Sequence, residues 1–528
     1  MSLARDVTTM GGATLASRLL GFTRDAGIAA ILGAGVFSDA FFAVLQITNF
    51  FRRLLTEGAI NAAFVPSWLR IERTQGKGGA DRFFKQVLGV VLLAVVALAV
   101  IGIVLAGPII ALLAPGFDGE RHALAATCLR IAAPYIALAG VVAVLAAALN
   151  AQRRVVAVAL GAVAFNAVLL LVLAWIAAIG VAPPAAVAAL LAQAIVLAGL
   201  AQLLVIGAGF LRWRPQTRSL KGSVRGARPA SGRPGLSADV ARFFALAGPG
   251  LVAAGIPQLK LIAGAMVASS SQAAVSWLYY ANRLYELPLG VVAISIASVL
   301  VPNIAARVRG NDPAAIAAMQ SRGLEIALGV ALPAAVAFAV LAEPIAGGLF
   351  ERGAFGPRDT TAVGAALTAI CIGLPGHTLE KVFGAVSFAH EDTRTPMLAA
   401  LAGLAVAVLG SLALFPHYGH VGVAAAIGVS GWVGATLLGA ILRRRGWLRF
   451  DRDMARRLPR IILATTVMGL AIFALHRLLG AHVEPGEPLA RLITLGLLVA
   501  SGLATYLASL EMLGIARLRD LLAAIRRR

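Results

Sequence analysis

The sequence predicts an all-α fold, a polytopic membrane helical bundle of about fourteen transmembrane helices, and three observations predict it. Apolar residues make up 60% of the 528 and charged residues only 13%, where soluble domains run near half and a quarter. The apolar residues gather in runs of about 20, the length that crosses a bilayer core. The in–out alternation of a β-barrel strand is absent from those runs. With a mean hydropathy of +0.88, the composition excludes both a water-soluble globule and a disordered chain. The 56 glycines suit helices that approach closely inside lipid.

Apolar windows open near residues 7, 37, 84, 122, 155, 184, 243, 273, 314, 359, 395, 419, 460 and 488, and each is read as one span. The first continues to Ala34 with no small-residue cleavage site, so it is a retained helix and not a signal peptide. Turn chemistry separates the spans: Gly33-Ala34-Gly35, Pro115-Gly116-Phe117-Asp118-Gly119, Pro183-Pro184, Gly356-Pro357, Pro416 and Glu484-Pro485-Gly486. The stretch Arg212–Ser237, rich in Arg, Gly, Pro and Ser, reads as a flexible linker. The expected organisation is an N-terminal lobe over 1–211 (spans 1–6), a basic cytoplasmic linker over 212–242 and a C-terminal lobe over 243–446 (spans 7–12). C-terminal helices (spans 13–14) and a basic tail then fill 447–528.

Charge sets the orientation. Lys plus Arg number 46 against 24 Asp plus Glu, a formal net charge of +22. In a soluble protein that excess would point to nucleic acid; here the cations collect in alternate loops, so no nucleic-acid partner is expected. Arg70 to Lys85, Arg153-Arg154, residues 212–242, Arg307/Arg309, Arg394, Arg443 to Arg460 and the terminal Arg526-Arg527-Arg528 lie on one side. The other side holds little beyond Arg121, Arg352 and Arg358. Both termini are therefore expected in the cytoplasm, which requires an even number of spans. Cys128 and Cys371 lie in apolar stretches without CxxC spacing, so neither a disulfide framework nor a thiolate metal site is supported.

The two sides of the linker resemble each other. Ala40-Phe41-Phe42-Ala43 in span 2 matches Leu278-Tyr279-Tyr280-Ala281 in span 8, and these spans close with Val65-Pro66 and Val301-Pro302. Leu149 to Arg153 after span 4 echoes Phe388 to Arg394 after span 10. Partners six spans apart share orientation, which makes two pseudo-symmetric six-helix lobes related by a parallel repeat. Transporters of that kind bind substrate near the midplane and alternate its access to the two sides.

Ionisable groups inside spans are costly and mark function by default. Span 1 carries Arg18, Arg24 and Asp25; span 2 carries Asp39, Arg52, Arg53 and Glu57. At 1.5 Å rise per residue, Arg18–Asp25 and Arg52–Glu57 fall at similar depth. Structural ion pairs would account for Arg53–Glu57 and for Asp39. They do not account for the set, in which four Arg face three carboxylates. Guanidinium groups suit bidentate recognition of phosphate or carboxylate, so the excess points to an anionic ligand. In the second lobe, Arg283 with Glu286 in span 8 follows the Tyr279-Tyr280 motif, and Arg283 is expected across the cavity from Arg52. Lys260 in span 7 reads equally as a snorkelling side chain, and Glu380-Lys381 lies nearer the cytoplasmic end of span 10.

No enzyme constellation emerges. Gly76-Lys77 lacks the remainder of a phosphate loop, and Gly248-Pro249-Gly250 lacks dinucleotide-fingerprint spacing. His417-x-x-His420 reads as a solvated turn and not a metal site. No cofactor is expected, which leaves an ion gradient or the membrane potential as driver, worth about 2.3 kcal/mol per charge per 100 mV.

One family carries these residues. Ser17-Arg18-Leu19-Leu20-Gly21-Phe22-Thr23-Arg24-Asp25, Gly33-Ala34-Gly35, Asp39-Ala40-Phe41-Phe42, Asn49-Phe50-Phe51-Arg52-Arg53 and Glu57-Gly58-Ala59 through Pro66 resemble the MurJ (MviN-type) lipid II flippases. The resemblance continues through Ser276 to Arg283, Pro288-Leu289-Gly290, Glu351 to Phe355 and Asp392 to Pro396; the last two spans match only in being hydrophobic. It implies a fold of the multidrug/oligosaccharidyl-lipid/polysaccharide exporter superfamily, with two additional C-terminal helices forming a groove for a polyprenyl tail. It implies a bacterial inner-membrane monomer in peptidoglycan biosynthesis. Its substrate is lipid II, an undecaprenyl-pyrophosphate-linked precursor, with membrane phospholipids and cell-wall synthesis proteins as further partners. It implies that Arg18, Arg24, Asp25, Arg52 and Arg283 contact the headgroup, and that Asp39, Asn49, Arg53, Glu57 and Glu286 support transport or gating. Two departures stand out: Asn282 occupies a position that is Asp in some members, and no role transfers to Lys260. The competing readings are an exporter of another polyprenyl-linked oligosaccharide, a drug/ion antiporter of the same superfamily, and, outside transport, a membrane scaffold for cell-wall synthesis.

Overall fold

A computed structural model describes residues 2–55, 59–152, 154–180, 183–212, 237–295, 304, 313–480 and 488–515. The regular structure among them is helical throughout: α1 (Ser2–Leu32), α2 (Val36–Arg53), α3 (Ala59–Val104), α4 (Ala106–Leu113), α5 (Gly119–Ala132), α6 (Pro134–Ala151), α7 (Val155–Ile179), α8 (Pro184–Leu211), α9 (Ala238–Ala268), α10 (Ala274–Ser295), α11 (Pro313–Phe350), α12 (Pro357–Cys371), α13 (Leu374–Ala389), α14 (Arg394–Arg444), α15 (Arg452–Gly480) and α16 (Pro488–Met512). The chain forms two compact units, Met1–Ile262 and Ala263–Arg528.

The helices are built for lipid. By length and composition, eight among the described residues can cross a membrane, or nine when α12 and α13, bent by 42°, count as one span. The most apolar stretch, in Ala63–Val104, reaches a mean hydropathy of 3.2, yet only 28% of it is buried. Leu93, Leu171, Leu204 and Leu470 are exposed at 65% or more. A soluble fold hides such side chains; a bilayer solvates them. The chain is a multi-pass membrane protein. The helices α1, α2, α9 and α10, which carry the charges singled out above, are outside that apolar set.

Two of the long helices are interrupted where glycine permits a left-handed backbone. Gly76 adopts φ 72° within α3 and Gly419 φ 54° within α14. Side chains avoid that region and glycine does not. After Gly419 the second arm of α14 returns along the first: a Cβ on Gly422 would lie 2.7 Å from the Leu414 carbonyl oxygen, and one on Gly410 3.0 Å from Ala426 Cβ. The break expected at Pro416 thus falls three residues later, because proline, locked near φ −65°, cannot supply the turn. Pro416 remains inside the helix.

In the N-terminal unit the core is aromatic. Phe64 packs at 5.3 Å, tilted, against Phe83 across the two arms of α3, and Phe243 of α9 packs edge-on against both, at 6.1 and 5.8 Å. Small residues then allow close approach: Val95 of α3 fills the space beside Gly140 of α6, and Ile206 of α8 that beside Gly161 of α7. In the C-terminal unit Tyr280 packs at 5.0 Å from Phe350 and 5.4 Å from Phe355. Asp392 accepts from the Arg394 and Thr395 backbone N–H groups, both at 3.0 Å, and from Arg445 at 2.6 Å, clasping the two ends of α14.

The last helices are held by ion pairs and hydrogen bonds. The Arg457 guanidinium of α15 donates to both oxygens of buried Glu325 on α11, each at 3.0 Å. Arg491 of α16 donates to Glu351 at 2.6 Å, and Thr360 donates to the other oxygen at 2.6 Å. Tyr506 donates to the Gly329 carbonyl at 2.7 Å. Burial opposes the charge on Glu351, but the Thr360 hydroxyl and the Arg491 guanidinium outweigh it and hold the carboxyl below its ordinary value. We predict that Glu351→Gln lowers unfolding stability at neutral pH by about 1–2 kcal/mol. Because the folded-state value is depressed, that contribution is complete above about pH 4.3, the ordinary glutamate value, and fades as pH falls through the depressed one. Thermal unfolding of the purified protein at both pH values checks it: the wild-type advantage narrows in acid.

Candidate functional site

In the N-terminal unit the charged group of α1 is built around Arg24, which is 8% exposed. Its Nε and Nη2 donate to one oxygen of fully buried Asp25, at 2.9 and 2.7 Å. Nη1 donates to Asn166 Oδ1 of α7 at 3.2 Å. The Asn166 amide in turn donates to the carbonyl and hydroxyl oxygens of Ser17 and to the Ala162 carbonyl, at 3.2, 3.3 and 3.2 Å. One amide thereby fixes the guanidinium and staples it to the start of the same motif. Gly27 lets Leu173 of α7 approach to within 3.2 Å of where a Cβ would stand, which brings α7 near enough for Asn166 to reach.

Asp25 therefore serves its neighbour Arg24. Arg18, seven residues earlier on nearly the same helical face, is half-buried and makes no ion pair or hydrogen bond with any described residue. A guanidinium has fork geometry suited to a bidentate oxyanion.

On α2, Arg52 Nε donates to Asn49 Oδ1 one turn back at 3.3 Å, and Arg52 and Arg53 are both half-buried. Asp39, fully buried at the other end of α2, faces Arg121 of α5 at 3.9 Å. Arg121 also donates to Asp118 at 3.2 Å and to the Gly116 carbonyl at 3.2 Å, and lies 5.2 Å over the Phe117 ring. Asp118 caps α5 through the Arg121 backbone N–H, and that hydrogen bond lowers its carboxyl below the usual value. Asp39 thus belongs to a charged knot tying α2 to α5. Glu57 lies outside the described residues.

In the C-terminal unit Arg283 and Glu286 share a turn of α10, their charged atoms 4.0 Å apart and each side chain 24% exposed. Asn282 donates to the same carboxylate at 3.4 Å. Lys260 of α9, in the N-terminal unit, is 5% exposed, so its ammonium does not reach out to water along a snorkelling stem. His420 has its Nε2 on the Ala362 carbonyl at 3.0 Å and its ring 4.7 Å from Trp277, and Trp277 donates to Asp359 at 3.0 Å. That histidine is a packing residue of the unit. Its reading as a solvated turn gives way to these contacts.

Sequence reasoning passed over Asn166 and Arg121. The signal was there for both: Asn166 is a lone amide inside the uninterrupted apolar run of α7, and Arg121 is one of few cations on its side of the membrane. A lone polar group at such depth has a partner.

A family model described as lipid II flippase MurJ matches residues 28–493. A probable lipid II flippase MurJ of Rhizobium meliloti is 39% identical over 533 aligned positions, covering 100% of this chain and 97% of that one. The lipid II flippase MurJ of Burkholderia cenocepacia is 32% identical, covering 85% of this chain and 87% of its own. Among solved structures, a lipid II flippase MurJ in an inward closed conformation superposes with a TM-score of 0.73 at 22% identity, over 97% of this chain and 99% of that one. An inward-facing multidrug resistance transporter of the MATE family, MOP superfamily, gives 0.66 at 15% identity over 81% and 94%. These last two show a common fold. On the sequence matches, the chain belongs to the lipid II flippase MurJ family.

Proposed function

We propose that this protein carries lipid II from the cytoplasmic to the periplasmic leaflet of the bacterial inner membrane by alternating access. Arg18, Arg24 and Arg52 of the N-terminal unit and Arg283 of the C-terminal unit engage the pyrophosphate. Asp25 holds Arg24. Asp39, Asn49, Arg53, Glu57 and Glu286 support the movement. The chain crosses the membrane fourteen times with both termini in the cytoplasm, arranged as lobes over 1–211 and 243–446, a linker over 212–242 and two further helices within 447–528. The hairpin turn at Gly419 supports the count, since it makes two spans of the single 51-residue α14. The positive-inside pattern supports the orientation.

The observation that carries the reading is Arg18, a half-buried guanidinium on α1 with no described partner. A pyrophosphate supplies the charge it lacks, with oxygen acceptors matched to the guanidinium fork. No protein acid, base or metal is required, because the substrate changes side and no bond is broken. The membrane potential can act directly on a pyrophosphate-bearing headgroup, since each charge moved is worth about 2.3 kcal/mol per 100 mV.

The test is complementation. In cells depleted of their own flippase, expression of this chain restores externally accessible lipid II; failure with normal membrane expression contradicts the reading. Arg18→Ala and Arg283→Ala each reduce translocation by about 10- to 100-fold, the worth of one charge-assisted contact of roughly 1.5–3 kcal/mol. Arg24→Ala is the poorer probe, because it strands a buried carboxylate and costs about 3–5 kcal/mol of stability. A separate expectation concerns Asn166→Leu, which removes the acceptor from Arg24 Nη1. It lowers the unfolding midpoint of the purified protein, a loss of about 1–3 kcal/mol, and full stability in that variant would show that the amide is dispensable.

A further inference from the structure

One polar pair has no part in the reading above. Tyr285 of α10, 4% exposed, has its hydroxyl 2.7 Å from Nδ1 of His377 on α13. The same nitrogen lies 3.1 Å from the Gly373 carbonyl oxygen, one turn back along the chain. The imidazole ring fills the space left by Gly431 on the second arm of α14, where a Cβ would stand 2.5 Å from Nδ1. Three helices bring the pair together near their midpoints. Tyr285 is at the middle of α10, His377 little more than a turn beyond the middle of the bent pair α12–α13, and Gly431 at the middle of the arm that follows Gly419. A titratable group at mid-span is costly to hold there and marks a proton or ion path by default.

The two partners of Nδ1 make opposite demands. A carbonyl only accepts, whereas the phenol O–H can donate. With its lone pair free, Nδ1 accepts the Tyr285 proton. With a proton bound, it donates to Gly373, the phenol can then meet it only as an acceptor, and the Tyr285 O–H turns to another partner. In the neutral ring with its proton on Nε2, binding a second proton at Nδ1 reverses the sense of a hydrogen bond that ties α13 to α10. Arg283 and Glu286 lie on that same α10, on either side of Tyr285.

The charged and titratable surroundings are few. From α10 come Arg283, Tyr285 and Glu286, and from α12 Cys371, which is buried. On α13 itself Glu380 lies one turn further, its carboxylate packed where Gly434 has no side chain, followed by Lys381. The sequence of α11 carries no titratable residue between Glu325 and Glu343, and the second arm of α14 none between His420 and Arg443. An imidazolium would meet the Gly373 carbonyl, the phenol oxygen and, at i+3 spacing, the Glu380 carboxylate.

We propose that His377 is a proton-binding site at mid-span of the C-terminal unit, and that proton uptake there acts through Tyr285 on α10 and so on Arg283. The transport consequence rests on the flippase reading; the proton site does not. The full chain in lipid nanodiscs, labelled at histidine, gives the direct test by NMR. The resonance missing from His377→Gln titrates within about pH 5–8, and Tyr285→Phe moves its midpoint by about half a unit or more. In the translocation assay the pH dependence of the wild type flattens in His377→Gln, while Tyr285→Phe keeps a pH dependence with a displaced midpoint. A resonance silent across that range, or a His377→Gln variant with the wild-type pH profile, overturns the proposal. If the resonance titrates and the wild type moves no lipid II, the flippase reading fails and the proton site stands.

Discussion

A guanidinium inside a bilayer must be neutralised, hydrogen-bonded or wet, because the cost of leaving it otherwise is several kilocalories per mole. That constraint organises the charged half of this molecule. Arg24 is answered on three sides by Asp25 and Asn166. Arg121 is answered by Asp39, Asp118, the Gly116 carbonyl and the Phe117 ring. Arg457 and Arg491 are answered by Glu325 and Glu351, and these two pairs bind the last helices to α11 and its end. Arg18 is answered by nothing described. The contrast separates cations answered within the protein from Arg18, the cation on which the proposed ligand contact rests.

The same constraint explains which helices are polar. Among the described residues eight helical stretches are long and apolar enough to cross a membrane, and most of them leave the larger share of their apolar window exposed. On α1, α2, α9 and α10 the residues Arg18, Arg24, Asp25, Asp39, Arg52, Arg53, Lys260, Arg283 and Glu286 are half or wholly buried. A membrane protein thereby inverts the soluble arrangement only on its outer surface; its charged groups still need partners within.

Much of this was legible in the sequence, and the limits are physical. Apolar runs of bilayer length mark the helices because lipid imposes that length, and Pro357 and Pro184 stand at the first turns of their helices, where proline is tolerated. The turn in α14 is expected at Pro416 and falls at Gly419, because both residues signal a break and only the backbone dihedral distinguishes them. Arg18, Arg24 and Asp25 are legible as a charged set, but their pairing is not: Asp25 lies on nearly the same helical face as Arg18, yet its hydrogen bonds come from Arg24. Asn166 lies 142 positions from Arg24 and Arg121 lies 82 from Asp39. Such partnerships depend on which helices become neighbours, which no local pattern encodes. The Tyr285–His377 pair was hidden for the same reason.

The account depends on arginine side chains that bind the pyrophosphate itself, beyond any attraction of the apolar exterior for a polyprenyl chain. Native mass spectrometry of the purified protein with undecaprenyl pyrophosphate and with undecaprenol separates the two contributions. The account predicts that the pyrophosphate binds at least about tenfold more tightly, a difference of roughly 1.4 kcal/mol, and that Arg18→Ala removes most of that preference while leaving the alcohol's binding unchanged. Equal affinity for the two lipids, or a preference that survives in Arg18→Ala undiminished, would contradict it.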